Sequence, residues 1–144
     1  MQFDLTIEGN VAEAPELRFT PSGKALCKFR LGHNTRRRTA AGEWVDGPTI
    51  WFTVAVWEAL AERVVESIRK GDTVTVNARN EMSVFAYINQ STNKAAGELQ
   101  ITAANVAISL RFAEAESRRK PKPAASLDDP WPTEPAELEG QPVG

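Results

Sequence analysis

The stretch from Thr49 to Trp57 is a short, largely apolar run of β-branched and aromatic residues, which are the types enriched in strands, and it predicts a β-strand. Successive side chains of a strand point to opposite faces. One face is expected to line the core and carries Ile50, Phe52, Val54 and Val56. The other face carries Trp51, Thr53, Ala55 and Trp57. Its two indoles stand about 20 Å apart at about 3.3 Å per residue. This face is either open for bases to stack on or covered by another element, and periodicity alone leaves both alternatives open.

Alternation of hydrophobic and polar positions predicts strands elsewhere in the chain. They lie at Phe3–Ile7, Lys24–His33, Thr73–Arg79, Ser83–Ile88 and Leu99–Phe112, the last with a bulge near Ala104. A helix is predicted over Glu58–Lys70, where apolar residues recur at helical spacing before a glycine stop at Gly71. Two polar stretches, Asn34–Pro48 and Asn89–Gly97, are interpreted as long hairpin loops.

The order of these elements places a single helix between the third and fourth of five main strands. This order predicts an all-β OB-fold, a five-stranded Greek-key barrel with long hairpin loops that presents one face to oligonucleotides or sugars. We expect the barrel to occupy residues 1–112.

Residues 113–144 have a different composition, with six of the nine prolines of the chain. Such a segment buries too little apolar surface to offset its ordering entropy, so we expect a disordered tail. One acidic and aromatic island, Asp128, Asp129 and Trp131, is either a short partner-docking motif or incidental.

The net charge of −2 conceals a split between the two parts. Residues 1–112 hold 13 basic and 12 acidic residues, whereas residues 113–144 hold 4 and 7. Adjacent arginines repel one another unless an anion is near, and basic groups interleaved with aromatics are typical of single-strand binding. The candidate phosphate-binding residues are Lys28, Arg30, Arg36, Arg37, Arg38, Arg79 and Lys94.

Other chemistry finds little support in the residues. Cys27 is the sole cysteine and is expected to face the core, and His33 is the sole histidine, so we expect no metal site and no cofactor. Paired carboxylates near a base, a phosphate-cradling glycine loop and a catalytic triad are all missing, which argues against an enzyme. We find no signal peptide or membrane-length apolar stretch and expect a cytoplasmic protein.

Several short motifs, in order over residues 1–112, resemble the bacterial single-stranded DNA-binding protein family. They are Gly9-Asn10, Pro15-Glu16-Leu17-Arg18, Pro21-Ser22-Gly23, Thr49-Ile50-Trp51-Phe52, Leu60-Ala61-Glu62 and Arg69-Lys70-Gly71-Asp72. The resemblance implies a nucleoid-associated homotetramer that coats single-stranded DNA during replication, recombination and repair, and that recruits repair or replication proteins.

The resemblance also implies that Trp51, Trp57 and Phe85 are the base-stacking residues. The chain departs from the family pattern at two places: a further family aromatic falls near Arg37, and the chain stops without the acidic, phenylalanine-ended tip. These departures suggest a secondary paralogue. The alternative functions are an RNA-binding or protein-docking OB module, and a purely structural module in which Trp51 and Trp57 affect stability alone.

Overall fold

A computed structural model describes residues 1–118, and within them the chain forms six strands and one helix. They are β1 (Asp4–Val11), β2 (Glu16–Phe19), β3 (Ala25–Arg38), β4 (Trp44–Trp57), α1 (Glu58–Ser67), β5 (Thr73–Asn89) and β6 (Lys94–Ile108).

Five of the strands close into a barrel. The sheet order is β1-β5-β6-β4-β3-β2, and an additional pairing between β1 and β3 joins its ends. The β4–β6 pairing is parallel, the remaining pairings are antiparallel, and β2 lies beside β3 outside the ring. The predicted OB-fold, with its helix between the third and fourth barrel strands, is therefore confirmed.

The inward rows of the barrel strands fill its interior. The predicted core residues of β3, Ala25, Cys27, Phe29 and Leu31, are all buried, and so are Phe52, Val54 and Val56 of β4. Helix α1 covers the interior with Ala61 and Val64, followed by Ile68 just beyond its end. The helix ends three residues earlier than the sequence predicted, since Ser67 is its last residue.

The barrel closes where β1 crosses β3 at close range. A Cβ atom on Gly9 would stand 2.7 Å from the carbonyl oxygen of Gly32 and 2.8 Å from Cγ of Leu31. Nearby, Nδ1 of His33 lies 2.7 Å from the carbonyl oxygen of Glu8, so the lone histidine has a structural partner. Glycine is needed at position 9 because any side chain would separate the two strands.

The prediction of a long loop over Asn34–Pro48 is wrong. Strands β3 and β4 continue through most of it, with Arg36 opposite Asp46 and Arg38 opposite Trp44, and only residues 39–43 turn. The turn is closed by the backbone N–H of Thr39 donating to the Glu43 carbonyl, with Gly42 at a φ of 85°. We call residues 33–50 the first arm.

The second hairpin is also longer than predicted. The extended pieces Thr73–Arg79 and Ser83–Ile88 form one strand, β5, and Lys94 is the first residue of β6 rather than a loop tip. A register shift that skips Ala104 confirms the predicted bulge. Strand β6 ends at Ile108, so its predicted continuation to Phe112 is wrong. We call residues 82–98 the second arm.

Candidate nucleic-acid interface

Strand register brings the candidate residues onto one surface. Arg30 pairs with Thr53 across β3 and β4, Thr53 pairs with Gln100 across β4 and β6, and Glu98 pairs with Phe85 across β6 and β5. Paired residues point to the same side, so these rows form a continuous surface over four strands. We call it the outer face; its members are Lys28, Arg30, Gly32, Trp51, Thr53, Ala55, Trp57, Ser83, Phe85, Tyr87, Glu98 and Gln100.

The two tryptophans of β4 differ in exposure. Trp57, at the end of the strand, keeps 38% of its surface exposed, whereas Trp51 is half-buried. The benzo edge of the Trp51 indole crosses Gly32, where a Cβ atom would stand 3.1 Å from its Cζ3. Trp57 therefore fits the open alternative, whereas Ala55, between the two indoles, is only 3% exposed, and a neighbouring side chain partly covers Trp51.

That neighbouring side chain is Arg30. Its guanidinium carbon lies 4.4 Å from the centroid of the Trp51 ring, a cation–π contact. Its Nε lies 3.6 Å from Oε1 of Glu98, and the hydroxyl of Thr53 donates a hydrogen bond to the same carboxylate oxygen. Arg30 is thus held between an aromatic ring and a carboxylate instead of extending into solvent.

Phe85 and Tyr87 supply the aromatic surface of the second arm. They are 54% and 42% exposed and lie on one side of β5, as their spacing predicted. The opposite side of this arm is apolar as well, with Met82, Val84 and Ile88 all exposed. The second arm therefore carries more exposed apolar surface than a hairpin needs for its own folding.

The basic candidates fall into three groups. Lys28 and Arg30 lie on the outer face, and Arg36, Arg37 and Arg38 lie near the tip of the first arm. Lys94 lies near the tip of the second arm. Arg79 lies beside β1, with its Nε 3.4 Å from Asp4, so the structure does not bring it together with Lys28 and Arg30.

Two of the three arm arginines already have partners. Nε of Arg36 lies 3.7 Å from Asp46, and Nε of Arg38 donates to the Gly42 carbonyl at 3.2 Å. Both contacts are exposed, so they hold the side chains only weakly. The predicted docking residues Asp128, Asp129 and Trp131 lie outside the described residues.

Sequence reasoning missed Glu98 and Gly32, and it placed Thr53 on the candidate face without giving it a role. The alternation of β6 carried a signal for Glu98, since it precedes Leu99 and must point away from the core. Its placement beside Thr53 and Arg30, however, depends on the parallel β4–β6 pairing, which no local pattern reports.

Cys27 lies inside the barrel, as predicted, with none of its surface exposed. Burial raises the pKa of its thiol, and a backbone hydrogen bond with Glu16 opposes this shift to a smaller extent. Among residues 1–118 no group of three or more His, Cys, Asp or Glu side chains is placed to hold a metal ion. None of the helices in that range has the length and apolarity needed to cross a membrane.

A curved five-stranded barrel with an open aromatic and basic face defines the class of OB-fold proteins that bind oligonucleotides. Comparisons with known proteins give the family. The model of the single-strand binding protein family matches residues 3–109, and the chain belongs to this family.

Named relatives agree with this assignment. The chain is 37% identical over 120 residues to the single-stranded DNA-binding protein of Corynebacterium glutamicum. The aligned region covers 83% of this chain and 52% of that protein. The chain thus spans about half the length of that relative. It is 35% identical over 150 residues to the protein of the same name from Mycobacterium tuberculosis, covering 92% of this chain and 88% of that one. A second paralogue of Streptomyces coelicolor, single-stranded DNA-binding protein 2, is 45% identical over 78 residues.

Solved structures show the same architecture. The crystal structure of a small single-stranded DNA-binding protein from Streptomyces coelicolor matches with a TM-score of 0.61 at 28% identity. The match covers 76% of this chain and 95% of that one. A deletion mutant of the single-stranded DNA binding protein from Thermus aquaticus shares the fold, with a TM-score of 0.57 at 18% identity.

Proposed function

We propose that the chain binds single-stranded DNA without strong sequence preference and protects it during replication, recombination or repair. The observation that carries this proposal is the open indole of Trp57 on a face that also presents Lys28, Arg30 and Phe85. Family membership and the names of the relatives support the same function.

Base stacking explains the tolerance of sequence. Each base has a π-face, and stacking on an aromatic side chain contributes about 1–3 kcal/mol per base as measured by alanine substitution. Trp51, Trp57 and Phe85 are the proposed stacking residues. Tyr87 joins them because it shares the exposed side of the second arm with Phe85.

Phosphate contacts supply the remainder of the affinity. We assign these contacts to the basic residues of the outer face and of the two arms, which are Lys28, Arg36, Arg37, Arg38 and Lys94. Each phosphate that they neutralise releases counterions, so affinity falls as salt rises. Arg79 has a weaker claim because it lies beside β1, apart from Lys28 and Arg30.

We further propose a homotetramer, which is typical of the family. The exposed apolar side of the second arm, Met82, Val84 and Ile88, supports contacts between subunits. Native mass spectrometry of the full chain should give four times the 15.8 kDa chain mass. A monomer at micromolar concentration would contradict this part of the proposal.

In the same proposal residues 1–112 form the binding domain and the tail has a separate role. Its excess of acidic residues lets it compete weakly with DNA for the basic groups, and Asp128, Asp129 and Trp131 offer a docking motif for repair or replication proteins. Deletion of residues 113–144 should tighten DNA binding at low salt; unchanged or weaker binding would exclude competition. The protein has no catalytic role in this account and acts in the cytoplasm at the nucleoid.

The test is a competition between oligo-dT and oligo-U of equal length for the full chain, followed by fluorescence anisotropy. We expect oligo-dT to bind and Trp57→Ala to weaken that binding at least about fivefold. A preference for oligo-U would indicate the RNA-binding alternative. Loss of stability with unchanged affinity in Trp57→Ala would indicate a purely structural module.

A further inference from the structure

The contact between Arg30 and Trp51 occupies one of the proposed stacking surfaces. The guanidinium carbon lies 4.4 Å from the ring centroid, so a base cannot stack on that side of the indole while Arg30 stays in place. Either Arg30 moves away when DNA binds, or the base stacks on Arg30 itself. The surroundings of Arg30 distinguish these two outcomes.

Arg30 contacts Glu98 as well as Trp51, and Glu98 holds it in place. The Glu98 side chain is only 17% exposed and receives the Thr53 hydroxyl, while the Nε atom of Arg30 that faces it at 3.6 Å is buried and makes no hydrogen bond among the described residues. A largely buried carboxylate that loses its partner charge is left uncompensated, which is unfavourable. Displacing Arg30 would leave the Glu98 carboxylate without its partner charge, on a face that binds phosphates in the proposed function.

The outer side of the guanidinium remains accessible, because 37% of the Arg30 side chain is exposed. A guanidinium is planar, is weakly hydrated and stacks on aromatic faces, and flipped-out bases stack on arginine planes as well as on aromatic rings. We propose that Arg30 is a stacking residue that extends the Trp51 ring toward the DNA, and that Glu98 is the positioning residue that holds it there. This inference rests on the proposed function and changes the role of Arg30 within it.

The charges support the same assignment. Glu98 compensates the charge of Arg30, so Arg30 adds little to the attraction between the outer face and phosphates. A phosphate-binding arginine changes the salt dependence of binding when it is replaced, whereas a stacking arginine changes the affinity at every salt concentration. The two roles therefore give different results in the same titration.

The principal experiment is Arg30→Lys in the full chain, with oligo-dT affinity measured at several salt concentrations. Lysine keeps the positive charge but lacks the planar guanidinium group on which a base can stack. We expect affinity to fall about fivefold to tenfold at every salt concentration, with an unchanged slope of log affinity against log salt. Unchanged affinity would overturn the proposal.

Arg111→Lys is the matched control. Arg111 also pairs with a glutamate, Glu8, at 2.8 Å and lies over an aromatic ring, Phe112, at 5.2 Å from its centroid, but it follows β6 and lies outside the outer face. We expect the affinity of the Arg111→Lys variant for oligo-dT to stay within about twofold of the wild-type value. An equal loss in both variants would show that any arginine replacement has this effect, and would overturn the special role of Arg30.

Glu98→Gln tests the positioning role. It removes the ion pair but keeps the size of the side chain, and we expect binding to weaken about threefold to tenfold at high salt. Combining it with Arg30→Lys should add little further loss, because the two residues act as one unit. Tighter binding with a steeper salt slope would show that Glu98 only repels phosphates, and would overturn the proposal.

The outcome for Arg30 can be separated from that for the proposed function. Absence of oligo-dT binding by the wild type contradicts the proposed function. If the wild type binds and Trp57→Ala weakens binding while Arg30→Lys does not, only the stacking role of Arg30 fails. Thermal unfolding of each variant confirms that a change in affinity does not reflect loss of the fold.

Discussion

The barrel and the second arm both contain runs of apolar strand residues but bury them to different extents. Phe52 in the barrel is 3% exposed, whereas Phe85 in the second arm is 54% exposed, and both stand in runs of β-branched and apolar residues. Phe52 is buried because the barrel strands close around it. Phe85 is exposed because the second arm extends beyond the barrel. Alternation reports which side a residue faces, and barrel closure decides whether that side is buried.

The largest expected effect tests this comparison with the same replacement in both regions. Phe52→Ala should lower the free energy of unfolding by about 3–5 kcal/mol, since it leaves a cavity in a closed core. Phe85→Ala should change it by no more than about 0.5 kcal/mol because its side chain is already in solvent. Urea unfolding at matched protein concentration measures both values.

The same two replacements should affect the affinity for oligo-dT in the opposite order. Phe85→Ala should weaken oligo-dT binding by about 1–3 kcal/mol, the usual contribution of one stacked base. If Phe85→Ala instead destabilises the protein as much as Phe52→Ala does, the second arm is buried in the assembly and the comparison fails.

Two glycines near the crossing of β1 and β3, Gly9 and Gly32, sharpen the comparison. Gly9→Ala places a Cβ atom 2.7 Å from a backbone oxygen at the barrel closure, and we expect a loss of about 1–3 kcal/mol in the free energy of unfolding. Gly32→Ala meets the Trp51 ring at 3.1 Å, where a side chain yields more easily, so its cost should be below about 1 kcal/mol. Equal costs in thermal unfolding would show that the outer face is as rigid as the closure.

A smaller effect is expected at the tip of the first arm. Arg37→Ala should lower the slope of log affinity against log salt by about 0.7, the value for one phosphate contact on a single strand. The free energy of unfolding should not change measurably, because the residue is exposed. A salt titration with oligo-dT gives the slope; an unchanged slope would remove Arg37 from the phosphate-binding set.

The smallest expected effect on the free energy of unfolding concerns Cys27. Burial raises the pKa of its thiol, so less of the reactive thiolate forms in the folded protein at a given pH. The unfolded chain ionises first as pH rises, and the free energy of unfolding should therefore fall slightly above the pKa of the unfolded thiol. Alkylation at pH about 8.5, near the ordinary pKa of cysteine, should be much slower in buffer than in urea. Equal rates would show that the barrel opens readily.

The barrel was predictable because each of its strands alternates on its own. The inward row from Ala25 to Leu31, the position of α1 and the bulge at Ala104 all follow from local pattern and turn chemistry. Ile50 is the exception within the central strand, since it is 41% exposed although it belongs to the predicted core row. It pairs with His33 beyond the closed part of the barrel, in the first arm.

The arms were harder to predict because pairing across them does not depend on hydrophobic residues. Residues 34–38 are polar throughout, and residues 44–48 include Asp, Gly and Pro, which are rare in strands, so no alternation distinguishes these segments from a loop, yet their backbones pair. For the candidate site, the sequence proposed Trp57 and Phe85 as stacking residues and both are exposed in the structure. The contacts of Arg30 with Trp51 and Glu98 could not be predicted because they depend on long-range register.

Tryptophan fluorescence during titration with oligo-dT tests the central claim most directly. Trp44, 61% exposed beside the arginines of the first arm, is first replaced by phenylalanine so that it does not add to the signal. In this background Trp57 is exposed on the outer face and Trp51 lies beneath Arg30, so we expect strong quenching that is mostly lost when Trp57→Phe is added. Fluorescence that does not respond to oligo-dT, or equal quenching with and without Trp57→Phe, would contradict base stacking on the outer face.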